Sequence, residues 1–195
     1  MDKLQDITEK LRDPAQPRDP LNKFRVSECY DIVNGYKSMK EFVYGKECDP
    51  IWRYVMDSGT KKHEMIEKYL EKDYTMEQKG KKEFGEIVLS GTADMIGGDE
   101  ILDLKTSFNI LEGKEKYLYQ VRMYLSLFDK QKGRIVQPVI KGLNYKNPKG
   151  FRVYLKTIGE TTRDDRWFSE QILLLTEYYH KVIKKYGKVQ QEKIR

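Results

Sequence analysis

The chain has 195 residues, a length that suits one compact unit with a sizeable core and excludes long repeat arrays and multidomain machines. Hydrophobic residues make up 38%, aromatics 12% and charged residues 35%, too much apolar bulk for wholesale disorder. A net charge of +6 and a pI near 9.0 leave an anionic partner open without fixing fold or chemistry.

The first residues, Met1 to Asp6, carry no apolar signal run, and nowhere do about 18 consecutive apolar residues occur, so the expectation is a protein that is not secreted and has no membrane partner. Cys29 and Cys48 support neither a disulfide framework nor a Cys-x-x-Cys knuckle, which fits the cytoplasm or another reducing compartment. Pro14, Pro17 and Pro20 fall where apolar side chains are few, and residues 1–24 read as an extended arm that adds little core. A helix is predicted from Ser27 as N-cap through Val33, closed by Asn34-Gly35, and a second from Ser38 to Tyr44. His63, Ile66 and Leu70 recur at helical spacing within residues 61–72 and form an apolar stripe. Between Phe84 and Ser107 the period falls to two, and runs at 86–89, 92–96 and 101–106, separated by glycines, read as three strands. A helix over about 115–128 follows, then strands over 135–141 and 151–157 joined by a turn with Asn147-Pro148, and a last helix over about 164–186. Strand runs flanked by helices indicate an α/β or α+β sheet covered on at least one face, in a single domain over 25–187 with a basic tail over 188–195.

Gly98-Asp99 suits a two-residue type II′ turn, because glycine adopts positive φ freely, and that turn sets Asp94 opposite Asp103. Opposed residues have Cβ atoms about 4.5–5.5 Å apart, so two carboxylates there repel unless a cation or a proton neutralises them. Alternation puts Thr92, Asp94, Ile96, Ile101, Asp103, Lys105 and Ser107 on one face, and Ala93, Met95, Leu102 and Leu104 on the other. Lys105 then lies two strand residues, about 6.7 Å, along the face from Asp103, close enough to orient a phosphate or a metal-bound water. The plain alternative is an amphipathic hairpin with solvated Asp and Lys, and the opposed acidic pair weighs against it.

These residues carry a family resemblance. Gly91-x-x-Asp94 followed by Asp103-Leu104-Lys105-Thr106-Ser107 resembles the PD-(D/E)xK nuclease motif, in the RecB-like exonuclease branch. Gly59-Thr60-Lys61-Lys62-His63-Glu64 is similar to that branch's upstream helix with a metal-ligating histidine, and Gln120-Val121-Arg122-Met123-Tyr124 to its Gln-x-x-x-Tyr helix. Val26-Ser27-Glu28-Cys29-Tyr30 weakly resembles the segment that opens many such domains, so the likeness covers about residues 25–141. Ala93 stands where the family name implies proline, and the absence of any cysteine after Cys48 removes the four-cysteine iron–sulfur cluster of some members.

The resemblance implies a restriction-endonuclease-like core, a central mixed sheet of four to five strands flanked by helices. It implies Mg²⁺ or Mn²⁺, one or two ions, held by Asp94, Asp103, the Leu104 carbonyl and His63, with Lys105 positioning or activating water. Gln120 would help hold the site or the DNA backbone, with Tyr124 packed beneath it; by periodicity alone both belong to an ordinary packing face. The implied activity is a DNA exonuclease leaving 5′-phosphates, in recombination, repair or replication. A structure-specific endonuclease and an inactive DNA-binding protein of the same fold are the alternatives. The expected partner is DNA, single-stranded or with free ends; a helicase or annealing-protein partner and a homo-oligomer stay open. Lys141, Lys146 and Lys149 near the last hairpin, and the tail from Lys181 to Arg195, are candidate phosphate contacts, with a solvated basic face as the alternative. Glu86 is either an auxiliary acid or an exposed strand-end residue.

Overall fold

The computed structural model describes Arg18, residues 20–45, Ile66, and residues 73–106, 114–141 and 152–191. In chain order these form β1 (Lys23–Arg25), α1 (Val26–Val33), α2 (Met39–Tyr44), β2 (Thr75–Phe84), β3 (Ile87–Gly97), β4 (Glu100–Leu104), α3 (Lys114–Leu127), β5 (Lys132–Lys141), β6 (Arg152–Thr162) and α4 (Asp165–Gln191). Ser27 lies inside α1 instead of capping it, because Glu28 accepts the Arg25 N–H at 2.9 Å and fixes the helix start two residues earlier. Ser38 does cap α2, its hydroxyl accepting the Glu41 N–H at 3.2 Å while the Glu41 carboxylate takes the Ser38 N–H at 2.9 Å.

One mixed sheet of six strands joins these elements, against the four to five expected. β2 runs antiparallel along one edge of β3, from Phe84↔Ile87 to Thr75↔Ile96. The opposite edge is shared: β1 pairs in parallel with Val88 to Ser90, and β4 pairs antiparallel with Met95 to Gly97. On that edge Gly91 to Asp94 have no strand partner among the described residues. β4 continues in parallel to β5, and β5 antiparallel to β6.

The glycine taken from sequence as a strand break is inside β3. A Cβ on Gly91 would stand 2.5 Å from Tyr124 Cε1 and 3.2 Å from Val26 Cβ, so the strand passes straight under α3 and α1 because this residue has no side chain. The hairpin at Gly98-Asp99 forms as expected, with Gly98 at φ 55 and the register Gly97↔Glu100.

Helices α1, α3 and α4 cover one face of the sheet with a core that includes Phe24, Cys29, Leu89, Ile101, Leu125 and Leu175. A smaller cluster of Met95, Leu102, Leu104 and Val136 fills the other face, where Ile66 is packed. The segment read as an arm reaches the core at its end, since Leu21 and Phe24 are both buried. No helix among the described residues is long and apolar enough to cross a membrane.

Candidate active site

Two neighbours share one edge of β3, and the site lies where the first has ended and the second begins. Asp94 belongs to the unpaired stretch, and Asp103 and Leu104 end β4 beside it. The β3–β4 ladder stops at Met95↔Leu102, one step short of the Asp94–Asp103 pair expected from the turn. At that step the side chain replaces the backbone ladder: the Leu104 N–H donates to Asp94 Oδ2 at 2.7 Å. The Lys105 ammonium lies 2.9 Å from Asp103 Oδ1 and 2.8 Å from Oδ2, and 4.7 Å from the centre of the Tyr117 ring on α3. The Lys105 N–H donates to the Val136 carbonyl at 2.9 Å, which anchors the lysine backbone to β5.

The alternation expected along β3 fails at this point. Ile87, Leu89 and Ala93 pack on the helix side, yet so does Ile96, while Met95 joins the opposite cluster. The side-chain pattern therefore slips by one residue around Asp94. Directly across on β2, Glu77 has φ 45 and drops out of the ladder between Met76↔Met95 and Gln78↔Ala93. A local irregularity of this kind re-aims one side chain without moving the rest of the strand.

Asp103 is only 2% exposed, whereas Asp94 keeps partial access to solvent. Burial raises the Asp94 pKa; the Lys105 charge and the Leu104 N–H oppose the rise without cancelling it, and Glu77 adds to it. Burial works against the Lys105 ammonium as well, but the charges of Asp103 and Asp94 outweigh it and hold its pKa above the ordinary lysine value. Asp94, Asp103 and Lys105 thus form the charged set at this opening, with Glu77 acting on Asp94 from β2; among the described residues no group of three or more His, Cys, Asp or Glu side chains is gathered to hold a metal ion.

No family model and no curated protein matches the chain. Solved structures do: the alkaline exonuclease LHK-Exo of Laribacter hongkongensis superposes with a TM-score of 0.59 at 13% identity, over 89% of this chain and 94% of that one. The chain shares the fold of that exonuclease, a restriction-endonuclease-like mixed sheet flanked by helices. LHK-Exo in complex with dAMP gives a TM-score of 0.60 at 12% identity over the same shares, and SSO0001 gives 0.51 at 18%, over 91% of this chain and 86% of that one.

On this scaffold α3 lies over the gap. Tyr124 is 4% exposed against Gly91, and Gln120 Nε2 donates to its hydroxyl at 3.3 Å. Burial pushes the Tyr124 hydroxyl up to about 12, so it stays protonated. Glu86 stands apart in the β2–β3 turn, where its carboxylate meets His180 at 3.1 Å. His63, Lys146 and Lys149 lie outside the described residues, as does the side chain of Lys141 at the end of β5.

The sequence reading missed the basic surroundings. A cavity of about 440 Å³ beside the gap is lined by Lys23 and Arg25 of β1, Lys79 and Lys81 of β2, and the Tyr124 edge of α3. These four cations are remote in sequence and carry no motif; only their strand pairing to β3 unites them. Neither this cavity nor a larger one of about 700 Å³ between β4, β5 and β6 is lined by Asp94, Asp103 or Lys105, but the smaller one reaches Gly91 and Thr92 of the unpaired stretch. The guanidinium groups of the larger cavity are engaged within the protein, Arg134 on both Glu100 oxygens at 2.6 Å and Arg122 on Thr161 at 3.1 Å.

Proposed function

We propose that this chain is a metal-dependent deoxyribonuclease that hydrolyses phosphodiester bonds at DNA ends. The observation that carries the reading is the convergence of Asp94, Asp103 and Lys105 at the gap in the β3 edge, with a cationic cavity alongside. Asp94 and Asp103 supply the hard oxygen donors that Mg²⁺ or Mn²⁺ prefers, with the Leu104 carbonyl and His63 as further candidates from the sequence. Such an ion, when bound, polarises a phosphoryl oxygen and lowers the pKa of a bound water.

The protein's own contributions are positional. Asp103 holds the Lys105 ammonium by both carboxylate oxygens, and the Tyr117 ring limits its swing, so the positive charge stays at the cleft. The Leu104 N–H fixes one oxygen of Asp94 and leaves the other for a ligand or a water. Gln120 and Tyr124 set the wall of α3 against Gly91 and keep the cleft at one width. Lys79 and Lys81 on β2, with Lys23 and Arg25 on β1, present charge to the phosphates of the strand being cut.

Attack at ends, leaving 5′-phosphates, is the finer reading, supported by the fold shared with an alkaline exonuclease whose structure has been solved with dAMP. Roles in recombination, repair or replication follow from that activity, with a helicase or annealing protein as a partner class. End-labelled linear duplex and circular single-stranded DNA, each with Mg²⁺, Mn²⁺ or EDTA, test it. The reading expects loss of the linear substrate only with metal and an intact circle. Cutting of the circle turns the assignment to an endonuclease, and degradation undiminished by EDTA rejects metal dependence.

A further inference from the structure

A second cavity, of about 460 Å³, opens away from the nuclease cleft, between the C-terminal end of α1, the start of α2 and the second half of α4. Its floor is apolar: Ile32 is buried, and Val33 and Met39 are partly covered against the core. Lys37, Lys40, Lys181 and Lys185 stand around it, and among the described residues no acidic side chain lines it. Lys37 reaches Glu28 at 2.8 Å, so the rim charge is carried chiefly by the other three lysines.

A cationic rim around an apolar floor is complementary to a segment with both acidic groups and an apolar side chain. Nucleic acid would match the charge, but without base pairing its bases need open aromatic faces. The aromatic rings here are engaged within the protein. Tyr178 stands edge-on to Phe24 and Phe42, at 6.5 and 5.4 Å between ring centres. Tyr186 stands edge-on to Tyr44 at 6.0 Å, and the Lys185 ammonium lies 5.4 Å from its centre. The Tyr178 hydroxyl, at the cavity wall, is buried with no hydrogen-bond partner among the described residues.

We propose that this cavity docks a short acidic segment of a partner protein, with one apolar side chain seated over Ile32, Val33 and Met39 and its carboxylates facing Lys40, Lys181 and Lys185. The inference stands apart from the nuclease reading, since none of these residues belongs to the cleft.

The test is fluorescence anisotropy of a labelled hexapeptide, Asp-Asp-Leu-Asp-Asp-Phe, titrated with the full chain. Saturable binding is expected, weaker at higher salt as exposed charges are screened. It should weaken about tenfold when the peptide's Leu and Phe both become Ser, the loss of the one apolar group seated on the floor. The double variant Lys181→Glu/Lys185→Glu should weaken it about tenfold with an unchanged melting curve, like-charge contacts replacing attraction. If that variant melts early, Lys40→Glu on the opposite wall carries the same expectation. No saturable binding, equal affinity for the Ser peptide, or equal affinity in the charge variants overturns the proposal. So does displacement of the peptide by an equal concentration of single-stranded dT hexamer, which would assign the cavity to nucleic acid.

Discussion

Glu28 is 7% exposed and accepts hydrogen bonds from Arg18 at 2.6 and 2.8 Å, from Lys37 at 2.8 Å and from the Arg25 N–H at 2.9 Å. Burial alone would push its pKa up; the bonds from Arg18, Lys37 and Arg25 outweigh burial and hold it below the ordinary carboxylate range. An acid depressed in the folded state adds stability above its unfolded pKa and loses it as pH falls through the folded one. The melting temperature should therefore fall more steeply below about pH 5 in the wild type than in Glu28→Gln, and equal slopes would contradict that role. At neutral pH the same variant should lose about 2 kcal/mol, roughly 4–8 °C in a chain of this size. Gly91 gives a second prediction. A methyl group there displaces Tyr124, so Gly91→Ala should cost about 1–3 kcal/mol. Displacing Tyr124 also disturbs Gln120, and the cleavage rate should fall about 10–100-fold. The Gly98-Asp99 hairpin was legible in the sequence because a two-residue turn is local and sets its own register. The partners of Glu28 were not, since Arg18 and Lys37 come from separate loops with no periodic signal.

Among the elements, β2 is the longer of the two strands the sequence concealed. Its residues Thr75–Phe84 include Glu77, Lys79, Lys81, Lys82 and Glu83, and most of them are exposed, because the strand forms an edge with little apolar side to bury. A period of two in hydrophobicity appears only where one face is buried, so such a strand leaves no pattern. Its turn did leave a sign: Gly85-Glu86 is the same Gly-x dipeptide as Gly98-Asp99, and Gly85 has φ 59. Lysines on a free edge also discourage pairing with a second sheet. β2 further explains the slip at Asp94, since the irregular residue across the ladder is Glu77. If Lys79 and Lys81 track phosphates, Lys79→Gln/Lys81→Gln should weaken DNA binding and reduce the slope of log affinity against log salt by about two. An unchanged slope would place the DNA path elsewhere.

At the scale of the molecule, one sheet serves as both scaffold and cleft, because β1 and β4 share an edge of β3 without meeting. That opening exposes one carboxylate to solvent, buries its partner and brings Lys105 between them and α3. The mixed fold class and the acid–acid–lysine set were readable from sequence, since they depend on short-range turns and spacing. The opening itself depends on β1, a three-residue strand too short to show a pattern, and on parallel pairing across more than sixty intervening residues. The most direct measurement of the central claim is the rate of Mn²⁺-supported cleavage of one linear duplex by the wild type, Asp103→Asn and Lys105→Ala, each first shown to be folded. The account predicts a fall of about 10²–10³-fold in both variants, the scale of losing one positioned charge at a reacting centre. A wild-type rate in either variant would contradict it.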